Sequence, residues 1–228
     1  MKRAFQIGVT VTLGTLVCSA LLYLFFPQQV LSVLRIPAHE LIVRDAERKT
    51  HYVVVMLGGE RSDRTDLAAR IILEKFSEKI LFCDGYHPTV FPTVPDYATW
   101  EGRGFEYRAQ VIEKGIRETQ IEMIPCEGIY DSSSEINEIA KFLRKAGEKS
   151  VNVATSAAHS RRVRIIWNRL APDIKAQVIG AKDFHFDSWW REKRSLRVLL
   201  YEYGALGKEL LRRVYHSLLG SGSTDGKV

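Results

Sequence analysis

Residues 51–70 constrain the fold of this chain more than any other stretch. Val53–Leu57 is an apolar run rich in β-branched residues, Gly58 and Gly59 end it, and a helical apolar pattern begins near Thr65. A strand, a glycine turn and a helix in this order are typical of the opening of an α/β domain. Ligands of such domains bind at the carboxyl ends of parallel strands, and the two glycines lie at such an end.

The residues that follow the glycines combine backbone access with charge: Glu60, Arg61, Asp63 and Arg64. Glycine lets a ligand approach the backbone closely, and an arginine guanidinium offers a fixed fork of donors to phosphate or carboxylate. The same residues also suit a tight turn with solvated charges. A lone pair of glycines is weaker than a full dinucleotide motif, so both interpretations stay open from this segment alone.

The N-terminal segment has the pattern of a membrane anchor. A basic end, residues 1–4, precedes Phe5–Phe26, which runs for about 22 residues without a charge and is long enough to cross a bilayer. This length favours an uncleaved anchor over a signal peptide, because cleaved signals have a shorter apolar core. We predict a cytoplasmic end at 1–4, a single-pass transmembrane helix at 5–26, a linker at 27–39 and the rest of the chain outside the cytoplasm.

The remaining chain alternates between strand and helix patterns without an internal repeat. About 200 residues are enough for one α/β domain with a full core, and we assign it to 40–218, followed by a disordered tail at 219–228. A short edge strand is predicted first, at Leu41–Val43. Besides the strand that ends at Leu57, buried strands are predicted at Lys79–Cys83, Glu122–Ile124, Val151–Ala154 and Gln177–Ile179.

Charge and cysteine content narrow the class of partner. The chain carries 33 basic and 27 acidic residues, a net charge of +6, which permits binding to anionic lipid or to an anionic metabolite. It lacks the interleaved aromatic and basic residues of single-strand binders, so nucleic acid is not an expected partner. The three cysteines lack zinc spacing and no HExxH motif is present, so no metal is indicated. Cys83 and Cys126 are either small core residues or a disulfide pair, and the sequence leaves both open.

One connection is unusually long. Tyr86–Arg103 contains Pro88, Pro92 and Pro95, and it is too proline-rich for a helix. Its position after a predicted strand makes it a candidate lid over the ligand site. The alternative is a surface loop whose aromatic residues pack on the domain.

Two predicted helix starts carry polar residues. Ser132 and Glu135 have the spacing of a capping box, and Ser156 is predicted as the N-cap of the helix that follows Val151–Ala154. His159 would then lie in the first turn, where backbone N–H groups favour an anion and the helix dipole favours a neutral imidazole. Arg162 follows on the same helix face. No Gly-x-Ser-x-Gly motif is present, which argues against the usual serine hydrolase nucleophile.

These motifs, in this order, resemble the YdcF/SanA/ElyC family over about Leu41–Lys208. The matching segments are Leu57-Gly58-Gly59 with Arg64 and Ala68-Ala69, Cys83-Asp84-Gly85, Glu106, Gly115-Ile116, Glu127, Ser132–Glu135, and Ala154-Thr155-Ser156 with His159 and Arg162. Asp84 departs from the family pattern, which has glycine or serine there. Ser134-Glu135-Ile136-Asn137 stands where the family has Thr-x-Glu-Asn.

The resemblance implies a fold, a location and a role. It implies a three-layer α/β/α sandwich with a mostly parallel Rossmann-like sheet, tethered to the bacterial inner membrane. It also implies a part in cell-envelope integrity and in polysaccharide or peptidoglycan precursor metabolism. A nucleotide-type ligand such as S-adenosylmethionine is associated with the family.

The candidate site gathers polar residues from several strand ends, which share one edge of a parallel sheet. The candidate catalytic residues are His159, Glu106 and Glu127, and the candidate ligand-binding residues are Gly58, Gly59, Arg64, Asp84, Gly85, Ser156 and Arg162. Two functions fit these residues. The first is an enzyme acting on a phosphorylated or lipid-linked envelope precursor, and the second is a non-catalytic regulator that binds a nucleotide-like ligand.

Overall fold

A computed structural model of the 228-residue chain describes residues 27–58, 61–84, 103–126, 129 and 131–220, with isolated positions 12, 14, 15 and 24. Most of the predicted anchor, residues 86–102 of the candidate lid and the final eight residues lie outside this part, as do Gly59, Gly85 and Glu127. Among the helices in the described ranges, none combines the length and the apolar character needed to cross a membrane.

Helices and strands alternate along the described chain. They are α1 (Pro27–Glu40), β1 (Thr50–Val55), α2 (Arg61–Leu73), β2 (Ser77–Cys83), α3 (Arg103–Glu113), β3 (Ile121–Ile124), α4 (Ser132–Lys145), β4 (Ser150–Ser156), α5 (Ser160–Leu170), β5 (Lys175–Ala181) and α6 (Lys193–Gly220). Short 3-10 turns lie at Glu118–Gln120 and Trp189–Arg191.

The five strands form one parallel sheet in the order β3-β2-β1-β4-β5. The chain runs outward from β1 through β2 to β3, then returns past β1 to form β4 and β5. The strand order therefore reverses between β1 and β4, which is a topological switch point, the usual ligand position in such sheets. The predicted α/β class with a parallel sheet is confirmed, and the strand order is consistent with a Rossmann-like fold.

The core explains why the strands were recognisable from sequence. Val53, Val54 and Val55 of β1 are fully buried, because a parallel sheet is covered on both faces. Helix α2 packs against α3, and α4 packs against α5. Parallel crossovers are right-handed, so the first pair lies on one face of the sheet and the second pair on the other.

The segment predicted as a linker is helical. Two of the hydrogen bonds that hold helix α1 to the domain come from the C-terminal part of the chain: Trp189 Nε1 donates to Leu34 O at 2.8 Å and the Tyr203 hydroxyl donates to Pro37 O at 2.8 Å. The short edge strand predicted at Leu41–Val43 is wrong. The structure has only an isolated antiparallel bridge, between Arg44 and Ile179, next to that position.

Cys83 and Cys126 form a disulfide that joins the end of β2 to the segment after β3. Both residues are fully buried. The backbone N–H of Cys126 also donates to Asp84 Oδ1 at 3.1 Å, so Asp84 supports the same junction. Of the two alternatives that the sequence leaves open, the structure has the disulfide.

Candidate functional site

Arg64 connects the two strands of the switch point. It lies near the start of α2 rather than in a loop, and its side chain is buried. Nη1 donates to Met56 O at 2.7 Å and to Leu57 O at 2.8 Å, at the end of β1. Nε and Nη2 donate to Ser156 Oγ, at the end of β4, at 2.9 Å and 2.6 Å. The guanidinium that the sequence suggests as an anion fork therefore holds the two strand ends together.

The turn after β4 differs from the predicted helix start. Ser156 is the last residue of β4, so its assignment as N-cap is wrong. Helix α5 begins at Ser160, and His159 occupies the N-cap position without a side-chain capping bond. The Ser160 hydroxyl donates to Ala157 O at 2.6 Å, which fixes the turn between strand and helix.

Gly180 of β5 packs directly beneath this turn. A Cβ at position 180 would lie 2.8 Å from Ala157 Cα, closer than two carbon atoms can approach without movement of the backbone. The Ala157 N–H also donates to Asp183 Oδ1 at 2.8 Å. The position of the following His159 thus depends on a glycine and a carboxylate from the β5 side.

Three residues, each from a different helix, meet at His159. Its Nδ1 lies 3.3 Å from Glu202 Oε2, and its Nε2 lies 3.3 Å from Ser132 Oγ. Arg162 donates to Glu202 through Nε at 2.8 Å and Nη2 at 3.1 Å, and to Ser132 Oγ through Nη1 at 3.3 Å. We refer to Ser132, His159, Arg162 and Glu202 as the His159 cluster.

Burial and charge set the protonation of the cluster. Burial lowers the pKa of His159 to about 4; the hydrogen bond to Glu202 opposes this, and the charges of Arg162 and Arg64 add to it. Burial by itself would raise the pKa of Glu202, but hydrogen bonds with His159 and Arg162 hold it at about 2. Near neutral pH the imidazole is therefore neutral and the carboxylate ionised. The sequence suggests a neutral His159 from the helix dipole, whereas the main cause is desolvation.

Glu135 is a functional candidate that the sequence assigns to a different role. The predicted capping box of Ser132 and Glu135 is wrong: Asp131 is the N-cap of α4, and its Oδ1 accepts from Ser133 N and Ser134 N at 3.0 Å and 2.9 Å.

The Glu135 side chain instead reaches the end of β1. It is 3% exposed, and Oε1 accepts from Leu57 N at 2.6 Å. Burial raises its pKa to about 8, against the Leu57 hydrogen bond and the charge of Arg64. Glu135 is therefore mostly a neutral carboxylic acid at pH 7, and it lies at the same strand end that Arg64 holds.

The other candidates fall into two groups. Gly58 lies at the end of β1, with a positive φ of 91° that suits glycine, and its carbonyl accepts from the Tyr107 hydroxyl. Asp84 follows β2, and Glu106 is an exposed residue in the first turn of α3, so both belong to the β2–β3 side of the sheet. The structure brings Arg64, Ser156, His159 and Arg162 together at the switch point.

Glu202 is the residue that sequence reasoning missed entirely. It is 6% exposed and comes from α6, far along the chain from the other members of the cluster. A signal did exist, because Glu202 and Glu209 are the only acidic residues of Lys193–Gly220 and are seven apart, which places them on one helix face. Both are buried, and Glu209 pairs with Arg169 of α5 at 3.0 Å.

The sequence matches no family model, and no curated protein matches it significantly. Within the part of the chain that the structure describes, no group of three or more histidine, cysteine, aspartate or glutamate side chains is placed to hold a metal ion.

Proposed function

We propose that this chain is a YdcF/SanA/ElyC-like envelope protein that acts on or binds a phosphorylated intermediate of peptidoglycan or polysaccharide metabolism. The charge of the switch-point site carries the proposal. Arg64 and Arg162 contribute two positive charges and Glu202 one negative charge, while His159 and Glu135 are neutral near pH 7. The site therefore has a net charge of +1, which attracts an anion such as a phosphate group.

The position of these charges supports the same assignment. They lie beside the carboxyl ends of β1 and β4, where ligands of doubly wound sheets bind. The right-handed crossovers on the two sides of the sheet fit the three-layer α/β/α arrangement that the family resemblance implies. Hydroxyl groups of Ser132 and Ser156 add neutral donors and acceptors next to the two guanidinium groups.

The disulfide supports a location outside the cytoplasm. Bonds such as Cys83–Cys126 form and persist in oxidising compartments and are rare in the cytosol. Together with the anchor predicted at 5–26, this favours a single-pass protein of the inner membrane whose domain faces away from the cytoplasm. A domain next to the membrane is placed to meet lipid-linked precursors.

A second function is favoured by the backbone conformation of Gly58 at the end of β1. Strand, positive-φ Gly58 and helix α2 are the parts that bind nucleotides in doubly wound folds. The alternative is a non-catalytic regulator of envelope integrity that holds a nucleotide-like ligand, for example S-adenosylmethionine.

Mass spectrometry of small molecules retained by the full chain, extracted natively in detergent, tests the proposal. We expect a phosphate-bearing molecule to co-purify with the wild-type chain and to be lost from Arg162→Gln. Arg161→Gln is the matched control, because the neighbouring Arg161 is more exposed and its Nε donates to Glu40 O instead.

A parallel assay measures phosphate release from lipid-linked precursors by the same preparations. Release supports the enzyme, and retention of the ligand without release supports the regulator. A wild-type chain that neither retains a phosphate-bearing molecule nor releases phosphate would contradict the first proposal. Retention of S-adenosylmethionine alone would favour the second.

A further inference from the structure

Ser132, His159 and Glu202 form a line of hydroxyl, imidazole and carboxylate. The Oγ–Nε2 and Nδ1–Oε2 distances are both 3.3 Å. Ser132 and Glu202 come from α4 and α6, and His159 is the N-cap of α5. A nucleophile, a base and a group that orients the base are recognised by this geometry and not by their order in the sequence. Such contacts are commonly somewhat long before a substrate is bound.

The protons along this line have a single consistent arrangement. Glu202 is ionised and can only accept, so Nδ1 of the neutral imidazole carries the ring proton and donates to it. Nε2 is then left with a lone pair that faces Ser132 Oγ, and the hydroxyl donates to it. This is the tautomer that a general base needs.

Arg162 adds a positive charge at the reacting atom. Its Nη1 donates to Ser132 Oγ at 3.3 Å, while Nε and Nη2 are held by Glu202. A guanidinium fixed in this way stabilises negative charge that develops on the serine oxygen or on a phosphoryl group bonded to it. The same carboxylate thus orients both the base and the cation.

Solvent exposure of the three residues decreases from Ser132 to His159 and Glu202. His159 and Glu202 are each 6% exposed, whereas Ser132, the first residue of α4, is partly exposed. Of the three residues, Ser132 is therefore the one that a substrate would meet first. Burial of the base and its partner also keeps their hydrogen bonds away from competing water.

We propose that Ser132 is the nucleophile of a phosphoester-cleaving reaction, with His159 as its general base and Glu202 as the positioning residue. This inference rests on the proposed function, since it takes the phosphorylated intermediate as its substrate. It does not require the glycine-flanked serine motif whose absence argues against a usual hydrolase.

The reaction proceeds in two balanced steps. Ser132 Oγ attacks phosphorus, the bond from phosphorus to the leaving oxygen breaks, and the serine proton passes through His159 Nε2 to that oxygen. Water then attacks the phosphoserine and gives a proton to His159, the Oγ–phosphorus bond breaks, and His159 returns the proton to Oγ. The products are an alcohol and inorganic phosphate, and the enzyme is regenerated.

A fluorophosphonate probe tests the nucleophile without knowledge of the natural substrate. Its phosphorus bonds to an activated serine oxygen and fluoride leaves. With the full chain in detergent, we expect one phosphonyl group on Ser132, located by peptide mass spectrometry, and none on Ser132→Ala. Ser133→Ala is the matched control, because Ser133 is the next residue of the same helix turn and lies outside the cluster. It should label at the wild-type rate.

Variants of the base and its partner separate chemistry from packing. His159→Gln should slow labelling roughly 100-fold or more, the usual contribution of a general base. Glu202→Gln should slow it and also move the pH profile of labelling to lower pH, because removal of the carboxylate destabilises the imidazolium. A cluster that only packs three helices together would leave the pH profile unchanged. Melting curves of each variant show whether it is folded.

Unlabelled wild-type chain, or equal labelling of Ser132→Ala, would overturn the assignment of the nucleophile. Turnover of p-nitrophenyl acetate but not of p-nitrophenyl phosphate would overturn the phosphoester class. A chain that labels at Ser132 but retains no phosphate-bearing molecule and releases no phosphate contradicts the proposed function and the phosphoester class, while the assignment of the nucleophile stands. Retention of a phosphate-bearing molecule without labelling contradicts the nucleophile alone.

Discussion

Glu135 makes the stability of this protein depend on pH in an unusual direction. Carboxylates that are paired in the folded state are ionised and lose their stabilising effect in acid, but burial raises the pKa of Glu135 from 4.5 to about 8. Above pH 4.5 the carboxyl of an unfolded chain ionises while that of the folded chain stays protonated. The folded state then binds more protons than the unfolded state, so the free energy of unfolding falls as pH rises from 4.5 to 8.

The size of the effect follows from the two pKa values. Each tenfold change in proton affinity corresponds to ~1.4 kcal/mol, so Glu135 lowers the free energy of unfolding by about 5 kcal/mol between pH 4.5 and 8. His159 acts in the opposite direction. Its pKa is lowered by burial from 6.5 to about 4, so its contribution is present above pH 6.5 and is lost as pH falls towards 4.

Glu202 is the third group that makes the free energy of unfolding depend on pH. Although burial alone would raise its pKa, its hydrogen bonds lower the pKa from 4.5 to about 2, so its contribution is lost only as pH falls from 4.5 towards 2. Between pH 4.5 and 6.5 the effects of Glu135 and His159 oppose each other. We therefore expect the three groups to give greatest stability between pH 4.5 and 6.5, with a decline from pH 6.5 to 8.

The variant Glu135→Gln tests the fall in stability that Glu135 causes as pH rises. An amide oxygen can still accept from Leu57 N at the position of Oε1, but the side chain no longer titrates. The stability of this variant relative to wild type should increase by about 5 kcal/mol from pH 4.5 to pH 8. Urea unfolding of the full chain in detergent, followed by tryptophan fluorescence at pH 4.5, 6.5 and 8, measures the difference.

Glu138→Gln is the control for this experiment. Glu138 lies on the same helix, but its carboxylate pairs with Lys141 at the surface. The difference in free energy of unfolding between Glu138→Gln and wild type should stay constant between pH 6.5 and 8. If the free energies of unfolding of Glu135→Gln and wild type also differ by a constant amount between pH 4.5 and 8, the Glu135 carboxyl is ionised in the folded state. That result would refute the reasoning.

Three further predictions concern packing, covalent structure and topology. Gly180→Ala should lower the free energy of unfolding by about 1–3 kcal/mol, since the backbone at Ala157 must move; urea unfolding equal to wild type would contradict the close contact. Replacing Cys83 and Cys126 by serine removes a link between residues 43 apart, and the lost constraint on the unfolded chain should lower the free energy of unfolding by about 4 kcal/mol. Unchanged stability under non-reducing conditions would show that the pair is not bonded. A reporter that works only outside the cytoplasm should be active when fused after Gly220, and activity of a cytoplasm-only reporter at that point would reverse the predicted topology.

The sheet was largely predictable because its strands are apolar on both faces. Runs such as Val53–Leu57 and Val151–Ala154 read as buried strands without knowledge of their neighbours. Helix α1 was not predictable in the same way. Pro27 and Pro37 suggest a linker, and the contacts that hold this helix, from Trp189 and Tyr203, come from the far end of the chain.

The residues of the site were predictable only where their place next to a strand end follows from the neighbouring sequence. His159 and Arg64 follow strand ends, so their meeting at the switch point was expected from topology. Glu135 was misassigned because its spacing from Ser132 imitates a capping box, while Asp131, one residue earlier, caps the helix. Its true partner, Leu57 N, is 78 residues away and could not be inferred from spacing.

Because Glu202 belongs to α6, the last helix in the part of the chain that the structure describes, the His159 cluster is completed late in biosynthesis. A nascent chain that has been made only as far as β5 contains Ser132 and His159 but lacks the carboxylate that orients the imidazole and pairs with Arg162. Such a chain lacks the partner of His159 Nδ1, so it does not fix which ring nitrogen carries the proton. Synthesis must therefore reach α6 before the His159 imidazole gains the carboxylate that accepts its Nδ1 proton.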